Sequence, residues 1–267
     1  MEWFEQVFAI LTDRTSRHAG GRSMERTQHL VSYYVPPVSR APHRAIDRAA
    51  APAMVVSALP AVVAALSGHR RTAVALSALP LGVAAFFRDP DRTPDHRQVD
   101  PDHVVAPADG LVMYAGPGQV GVAPEGHWQQ VSIFLSLFDV HINRTPYGGL
   151  VEKVTYRPGR WHAAYRFESA TENERSEITL SVSVDGEQRR VVFRQIVGLV
   201  ARRVVTRVQP GDVVSTGQRM GLMKFGSRMD VFVPPHVDLV VTKGDRTVAG
   251  ETVLATWPRP PAAANAT

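Results

Sequence analysis

The sequence predicts a mainly β protein: an antiparallel β-sandwich or barrel-like domain preceded by an N-terminal apolar helical hairpin. From residue 88 onward, short alternating apolar runs are separated by Gly, Pro and Asp, which is typical of strands and their turns. Two uncharged runs rich in Ala, Val and Leu come before this region, at 49–67 and 72–87. With 267 residues, the chain has room for one large domain and an accessory segment.

Local patterns predict the individual strands. Residues 130–137 form a compact apolar run, and residues 178–184 alternate apolar side chains with Thr and Ser, as one buried strand face requires. The dipeptide Asp185-Gly186 favours a hairpin turn leading into a strand at 191–197. Further strands are expected at 203–208, 213–214, 220–225, 230–233, 237–242 and 247–254.

The region before the β domain has two parts. Residues 1–48 are polar and rich in Arg, and we expect a poorly ordered basic extension. Residues 49–87 are expected to form a membrane-associating helical hairpin, and 88–267 the catalytic β domain. A straight bilayer span needs roughly 20 residues, and each apolar run contains proline, which kinks or breaks a helix. Two short spans, a shallow re-entrant hairpin and a buried helical pair in a soluble protein all remain open.

Composition limits the chemistry. Cysteine is absent, which excludes disulfides, a thiolate nucleophile and thiolate metal ligands. A nucleophile must therefore be a hydroxyl, an amine or a carboxylate. The formal net charge of +5 suits an anionic membrane surface or a nucleic acid. Nucleic acid is the weaker choice, because the sequence has no zinc-finger spacing, no aromatic RNP pattern and no concentrated basic helix.

The pair Gly226-Ser227, within the run LMKFGSRMDVFVP, is the most informative candidate for chemistry. A serine hydroxyl that reaches the preceding carbonyl carbon converts the amide into an ester, provided that the backbone is distorted and a base accepts the proton. Glycine before the serine permits that distortion. Elimination and hydrolysis then leave a pyruvoyl group at position 227. On its own, however, a Gly-Ser pair usually marks a turn.

Two other residues complete a plausible relay with Ser227. Asp109 lies between small residues in APADG at an expected junction of strand and turn, where a turn-capping aspartate is the ordinary interpretation. His141 follows a strongly apolar strand, which suits a base for a hydroxyl nucleophile. An aspartate can fix the tautomer of such a histidine. We therefore predict a triad of Asp109, His141 and Ser227.

These motifs, taken with several others in order, resemble the phosphatidylserine decarboxylase proenzymes of the short bacterial form. The blocks that carry the resemblance span residues 86–234: FFRDPDRTP, APADG, SIFLSLFDVHINRTP, YRPGRWHAAY, ENER, QIVGLVARRVV and KFGSRMDVFVP. The resemblance implies autocatalytic cleavage at Gly226-Ser227 into a β-chain, 1–226, and an α-chain, 227–267, which remain together as a heterodimer. A higher homo-oligomer is also open.

The resemblance further implies a covalent pyruvoyl cofactor derived from Ser227, no metal, and no nucleic-acid partner. Phosphatidylserine in an anionic membrane would be converted, through a Schiff base, to phosphatidylethanolamine and carbon dioxide. It implies the relay Asp109, His141 and Ser227, and a bacterial cell membrane location with the catalytic domain on the cytoplasmic side. Longer members have two histidines near His141, where this chain has one. Either His141 also returns the proton in decarboxylation, or another group such as His162 does.

Basic side chains are expected to hold the anionic lipid near the membrane surface. The candidates for contact with its phosphate or carboxylate are Arg144, Arg202, Arg203 and Arg228. His162 is a further candidate for substrate binding.

Three other functions compete with this interpretation. The stretch VQPGDVVSTGQRMGLMKFGS has the turn rhythm of biotinyl and lipoyl carrier domains, with Lys224 as the modified residue. That hypothesis leaves Asp109 and His141 unexplained. A membrane-attached structural protein that never cleaves is the second alternative. A metallohydrolase is the third, and it ranks low because the histidine spacing matches no ligand motif.

Overall fold

The computed structural model describes residues 45–92, 100–184, 186–199, 203–224 and 226–259. Most of the predicted basic extension, residues 1–44, lies outside these ranges. Within them, fourteen strands form three sheets, and every pair of strands is antiparallel. The prediction of a mainly β, antiparallel protein with N-terminal apolar helices is therefore confirmed.

Four α-helices, a short 3-10 helix at Arg48–Ala50 and fourteen strands make up the described structure. The helices are α1 Ala51–Leu66, α2 Arg70–Leu76, α3 Ala78–Phe86 and α4 Ser169–Glu172. The strands are β1 His103–Val105, β2 Gly110–Pro117, β3 Gln129–Leu135, β4 Ile142–Arg144, β5 Gly149–Arg157, β6 Arg175–Val184, β7 Glu187–Val197, β8 Val204–Thr206, β9 Val213–Val214, β10 Arg219–Met223, β11 Ser227–Val233, β12 Asp238–Leu239, β13 Arg246–Thr247 and β14 Val253–Thr256.

The two apolar runs form three helices rather than two. Pro52 lies in the first turn of α1, where its missing N–H costs no helical hydrogen bond. Pro80 likewise lies in the first turn of α3, and the second run breaks at Ser77 just before it. None of the residues of α1, α2 or α3 is buried, so these helices do not form a buried pair. The stretch Arg48–Leu66 has a mean hydropathy of 2.0 and is long enough to cross a membrane.

The largest sheet has eight strands in the order β13-β2-β3-β11-β7-β6-β5-β9. Its β6–β7 hairpin turns at Gly186, whose φ of +83° is the left-handed conformation that glycine permits. β11 lies between β3 and β7, and all seven of its residues are buried. Met229, Val231 and Val233 join the main core from one face, while Phe232 packs in a smaller cluster on the other face.

One strand prediction is wrong in an informative way. Residues 247–254 were expected to form one strand, but β13 ends at Thr247 and β14 begins at Val253. The backbone between them turns instead: Gly250 has a φ of +79° and donates its N–H to the carbonyl of Ala106. The turn brings the N–H of Ala249 to the Asp109 carboxylate. The structure therefore uses this segment to hold Asp109 rather than to extend a sheet.

Candidate active site

The ends of three neighbouring strands lie together along one side of the large sheet, where its strands begin or end. Leu111, near the start of β2, pairs with Phe134 near the end of β3. Ser227, at the start of β11, pairs with Leu135, the last residue of β3. Asp109 immediately precedes β2, so Asp109 and Ser227 flank the end of β3 from its two sides. We call this edge the site edge.

His141 reaches the site edge through the connection between β3 and β4. β3 pairs with β11, and β4 pairs with β10, so the connection after β3 runs beside the one that joins β10 to β11. The backbone N–H of Met223, the last residue of β10, donates to the His141 carbonyl over 3.3 Å. The pairing of strands thus places His141, which follows β3, at the same end of the strands as Ser227, which begins β11.

Ser227 is fully buried, and its Oγ has no hydrogen-bond partner among the described residues. Gly226 before it has a φ of +64°, a conformation that L side chains rarely adopt. The Gly226 carbonyl oxygen packs closely against Gly198: a Cβ placed on Gly198 would lie 2.0 Å from it. The Ser227 hydroxyl is therefore buried and makes no hydrogen bond to a described residue. The carbonyl before it is tightly packed, and it belongs to a residue whose backbone conformation only glycine adopts readily.

His141 is held as a neutral base. Its Nδ1 lies 2.9 Å from the carbonyl oxygen of Asp139, and because a carbonyl only accepts, Nδ1 carries the proton. Nε2 therefore presents a lone pair, and it has no partner among the described residues. Burial lowers the pKa of His141 from 6.5 to about 4. The Phe86 ring, whose centroid is 4.2 Å from that of the imidazole, provides part of that burial.

Asp109 accepts hydrogen bonds from two described residues, and neither is His141. The backbone N–H of Ala249 donates to its Oδ1 over 2.9 Å, and the Arg92 guanidinium donates to the same oxygen. The tautomer of His141 is fixed by the Asp139 carbonyl instead. In this arrangement Asp109 acts on the imidazole only through space, by a charge that raises the pKa of His141. Its role in a relay stays a prediction.

Arg144, a predicted ligand contact, is buried and makes its hydrogen bonds within the protein. Its Nη1 donates to the Gly217 carbonyl over 2.9 Å and its Nη2 to the Pro90 carbonyl over 3.1 Å. The Asp89 carboxylate lies 3.8 Å away. Burial lowers the pKa of Arg144 to about 10. These contacts indicate a structural role, in which Arg144 anchors the segment after α3 to β4.

Arg228 is also buried and paired within the protein. Its Nε donates to Asp230 over 2.7 Å and its Nη2 to the Ser132 hydroxyl over 3.1 Å. Because successive residues of a strand point to opposite faces, Arg228 lies on the face opposite Ser227. This placement argues against direct contact between Arg228 and a ligand at Ser227.

The remaining predicted contacts are more accessible. His162 is partly exposed, and its Nε2 lies 3.0 Å from the Glu172 carboxylate. Arg203 is exposed just before β8. Arg202 lies outside the described residues. Of the basic side chains predicted to hold a substrate, His162 and Arg203 thus remain as described candidates.

Several residues of the site were missed by sequence reasoning. Phe86 and Arg92 belong to a quoted motif, FFRDPDRTP, and that membership was the one available signal. Asn143 is fully buried; its Oδ1 accepts from Gln195 over 2.8 Å, while its Nδ2 has no described partner. Gly198 gave no signal of its own, because its importance arises only from its contact with Gly226.

Within the parts of the chain that the structure describes, no group of three or more His, Asp or Glu side chains is arranged to hold a metal ion.

Comparison with known proteins assigns the family. A family model described as phosphatidylserine decarboxylase matches residues 81–255. The chain belongs to the phosphatidylserine decarboxylase family. It is 43% identical to a phosphatidylserine decarboxylase proenzyme of Solibacter usitatus over 208 residues, which cover 76% of this chain and 92% of that relative. It is 40% identical to the proenzyme of Mycolicibacterium smegmatis over 232 residues, covering 82% and 97% respectively.

The match to this decarboxylase family includes every residue described above at the site edge. Asp109, His141, Gly198, Gly226 and Ser227 all lie within residues 81–255. So does Phe86, the residue of α3 that contacts His141. The helix α1 and most of the apolar hairpin lie before the matched range. The unusual geometry is therefore concentrated in the part of the chain that defines the family.

The contact between Gly198 and Gly226 leads to a first prediction. In Gly198→Ala the new Cβ would clash with the Gly226 carbonyl, so that carbonyl must move. We expect the cleavage that the sequence predicts at Gly226-Ser227 to be slower by about tenfold or more in this variant, with an overpacking cost of about 1–3 kcal/mol in stability. The fraction of uncleaved chain is followed by denaturing gel after a pulse of synthesis. Gly82→Ala is the control, because its Cβ would meet nothing within 4 Å. Cleavage at the wild-type rate in Gly198→Ala would contradict this role.

The buried imidazole leads to a second prediction. Because the pKa of His141 is lowered to about 4, its neutral form persists above about pH 5, and the cleavage rate should fall only as the pH drops through 4. Charges that face the imidazole come from Asp139, Arg88 and Asp109. In Phe86→Ser, water reaches the imidazole and the pKa of His141 should rise toward its ordinary value of 6.5. The acid limb of the pH–rate profile should therefore move to higher pH.

The measurement follows newly synthesised chain after a rapid pH jump, with circular dichroism at each pH to verify folding. Leu79→Ser, an exposed position near the start of the same helix, is the control and should keep the wild-type profile. Superimposable acid limbs for wild type and Phe86→Ser would show that Phe86 does not set the pKa of the base.

Proposed function

We propose that this chain is a proenzyme that cuts itself between Gly226 and Ser227 and then, as a pyruvoyl enzyme, converts phosphatidylserine to phosphatidylethanolamine and carbon dioxide. Membership of the phosphatidylserine decarboxylase family supports the decarboxylase activity. One structural observation carries the proposal of self-cleavage: the buried Ser227 hydroxyl, which has no hydrogen-bond partner among the described residues, follows a glycine in the left-handed conformation.

The proposed cleavage uses groups of this chain only. The Ser227 hydroxyl gives its proton to a base, for which the lone pair of His141 Nε2 is the candidate, and Oγ attacks the Gly226 carbonyl carbon. The Ser227 nitrogen leaves with a proton, which converts the amide into an ester. Loss of the Ser227 Cα proton then breaks the bond between Cβ and oxygen, releasing Gly226 as a carboxylate. Position 227 is then a dehydroalanine at the new N-terminus. Water hydrolyses its imine form, ammonia is released, and a pyruvoyl group remains.

The surroundings of Ser227 fit such a group. β11 fixes position 227 between Leu135 and Val197, so the new terminus stays at the site edge. When formed, the pyruvoyl group supplies a carbonyl that withdraws the electrons released as a carboxylate leaves. His141 is able to hold or return a proton beside it, because its Nε2 is uncommitted. Asn143 offers an unpaired amide N–H in the same buried region.

The two proposed products are expected to stay together as a heterodimer. The α-chain contributes β11, which is paired on both sides with strands of the β-chain. It also contributes β13, paired with β2, and β14, paired with β1. Separation would expose the buried β11 and break all these ladders, so we expect the fragments to copurify until a denaturant is added.

The lipid substrate and the exposed helices support a membrane location. The helices α1 to α3 expose Val and Leu side chains, which suits insertion into a bilayer. Arg203 and His162 are the described candidates for contact with the anionic headgroup, and Arg202 remains one in sequence only. Attachment to the cytoplasmic face of a bacterial cell membrane stays a prediction, as does any homo-oligomer.

The variant Ser227→Ala tests the proposal directly. Without the hydroxyl, neither the cleavage nor the pyruvoyl group forms, so we expect one intact chain and a complete loss of carbon dioxide release from phosphatidylserine vesicles. Intact mass spectrometry and a decarboxylation assay measure the two results. Ser176→Ala is the matched control, because it also removes a buried hydroxyl without a described partner, on a different strand. It should be cleaved and active.

Two results would overturn the proposal. One is a pair of fragments split after residue 226 in Ser227→Ala. The other is wild-type protein that stays a single chain and still decarboxylates its lipid. The same mass measurement tests the carrier hypothesis, which requires an acyl group on Lys224. In the structure the Lys224 Nζ lies 5.9 Å from the centre of the Phe87 ring.

A further inference from the structure

Large apolar side chains are exposed along the site edge. Two follow β3, one follows β7, and three lie in the connection between β5 and β6: Leu137, Phe138, Leu199, Trp161, Tyr165 and Phe167. Phe138 is 87% exposed. The end of β3, the end of β7 and the start of β6 all lie at the edge where β11 begins, because these strands are antiparallel neighbours. We call these six residues the apolar rim.

The opposite edge of the sheet is different. There, the connection between β2 and β3 exposes Val120, and β9 exposes Val213, but no Phe, Tyr or Trp side chain among the described residues of that edge is exposed. Soluble proteins rarely gather large exposed apolar side chains at one place without a partner for them. The asymmetry therefore indicates that the site edge, and not the sheet as a whole, meets an apolar phase.

The rim is continuous with the apolar helices. Arg88, two residues after α3, donates from Nη2 to the Phe138 carbonyl over 2.6 Å. Phe87 and Val140 pack in one buried cluster, with Phe86 against it. The helices therefore leave the domain beside the rim, and their own apolar side chains are exposed as well. This contact between Arg88 and Phe138 favours docking of helices and rim on the same bilayer.

The chemistry of the rim matches a bilayer interface. Trp161 and Tyr165 are the residue types that concentrate at the level of the lipid headgroups. Arg160, Arg166 and Arg203 are exposed near them and favour anionic lipid. The acidic side chains of the connection between β5 and β6 are Glu168, Glu172 and Glu174. Glu174 is buried, and Glu172 is paired with Arg160 over 3.4 Å and with His162 over 3.0 Å.

We propose that the apolar rim is a second membrane-docking surface, which seats the site edge in the headgroup layer of a bilayer containing anionic phospholipid. This inference rests on the proposed function for its lipid substrate. The helices provide attachment, and the rim provides orientation: it turns Ser227 toward the headgroups, so that a lipid reaches the site while its acyl chains remain in the bilayer.

The double variant Phe138→Ser/Phe167→Ser tests the rim, because both side chains are exposed and their loss spares the core. Binding is measured on vesicles of phosphatidylcholine and phosphatidylglycerol, which contain no substrate. We expect roughly tenfold weaker binding. Decarboxylation of phosphatidylserine in vesicles should fall, whereas decarboxylation of monomeric short-chain phosphatidylserine and self-cleavage should not change. Val120→Ser, at a position 96% exposed on the opposite edge, is the control and should match wild type throughout.

Trp161 provides a direct measure of depth. Brominated phosphatidylcholine in the same vesicles should quench the part of the tryptophan emission that is lost in Trp161→Phe. If the double variant cleaves itself, decarboxylates and binds vesicles as wild type does, or if Trp161 is not quenched, the rim does not dock on the membrane and the inference is overturned. Uncleaved, inactive wild-type protein would instead refute the proposed function.

Discussion

The site depends on one constraint: Ser227 is the first residue of a strand that is held on both sides. β11 makes seven pairs with β3 and six with β7, so it cannot slide to give the Ser227 hydroxyl a partner. A one-residue shift would also exchange the side chains that β11 presents to its two buried faces. The chain entering β11 must therefore bend sharply, and the bend falls on Gly226. The sheet thus places a glycine in the left-handed conformation directly before Ser227.

This arrangement has a cost. A buried polar group without a partner destabilises the fold by about 1–3 kcal/mol, and both Ser227 Oγ and His141 Nε2 are of this kind among the described residues. Proteins retain such groups mainly where function requires them. Under the proposed function, cleavage would remove the hydroxyl altogether and would free the Gly226 carbonyl from its contact with Gly198. The same groups that destabilise the proenzyme would then favour its conversion.

The sequence predicted the features that neighbouring residues determine and missed those that depend on contacts between distant residues. The alternation at 178–184 and the Asp185-Gly186 pair predicted a hairpin, because strand period and turn chemistry are encoded by neighbours. The partners of Asp109 were not predictable, since Ala249 lies 140 positions away and its segment reads as a strand. Nor does a sequence reveal that Arg228 is buried beside Asp230, because an arginine gives the same signal whether it meets solvent or a carboxylate. Motif order indicated the candidate site, but contacts between distant strands define its geometry.

The connection between β3 and β4 joins the chemistry to the surface. In this connection, four consecutive residues have different roles. Phe138 is exposed on the rim, and the Asp139 carbonyl fixes the tautomer of the imidazole. Val140 packs with the helices, and His141 presents the lone pair. With the residues linked by single peptide units, a shift in one displaces the others. Since Phe86 of α3 also covers the imidazole, the position of the helices and the environment of the base are mechanically connected. A movement of α3 would therefore also change the solvation of the base.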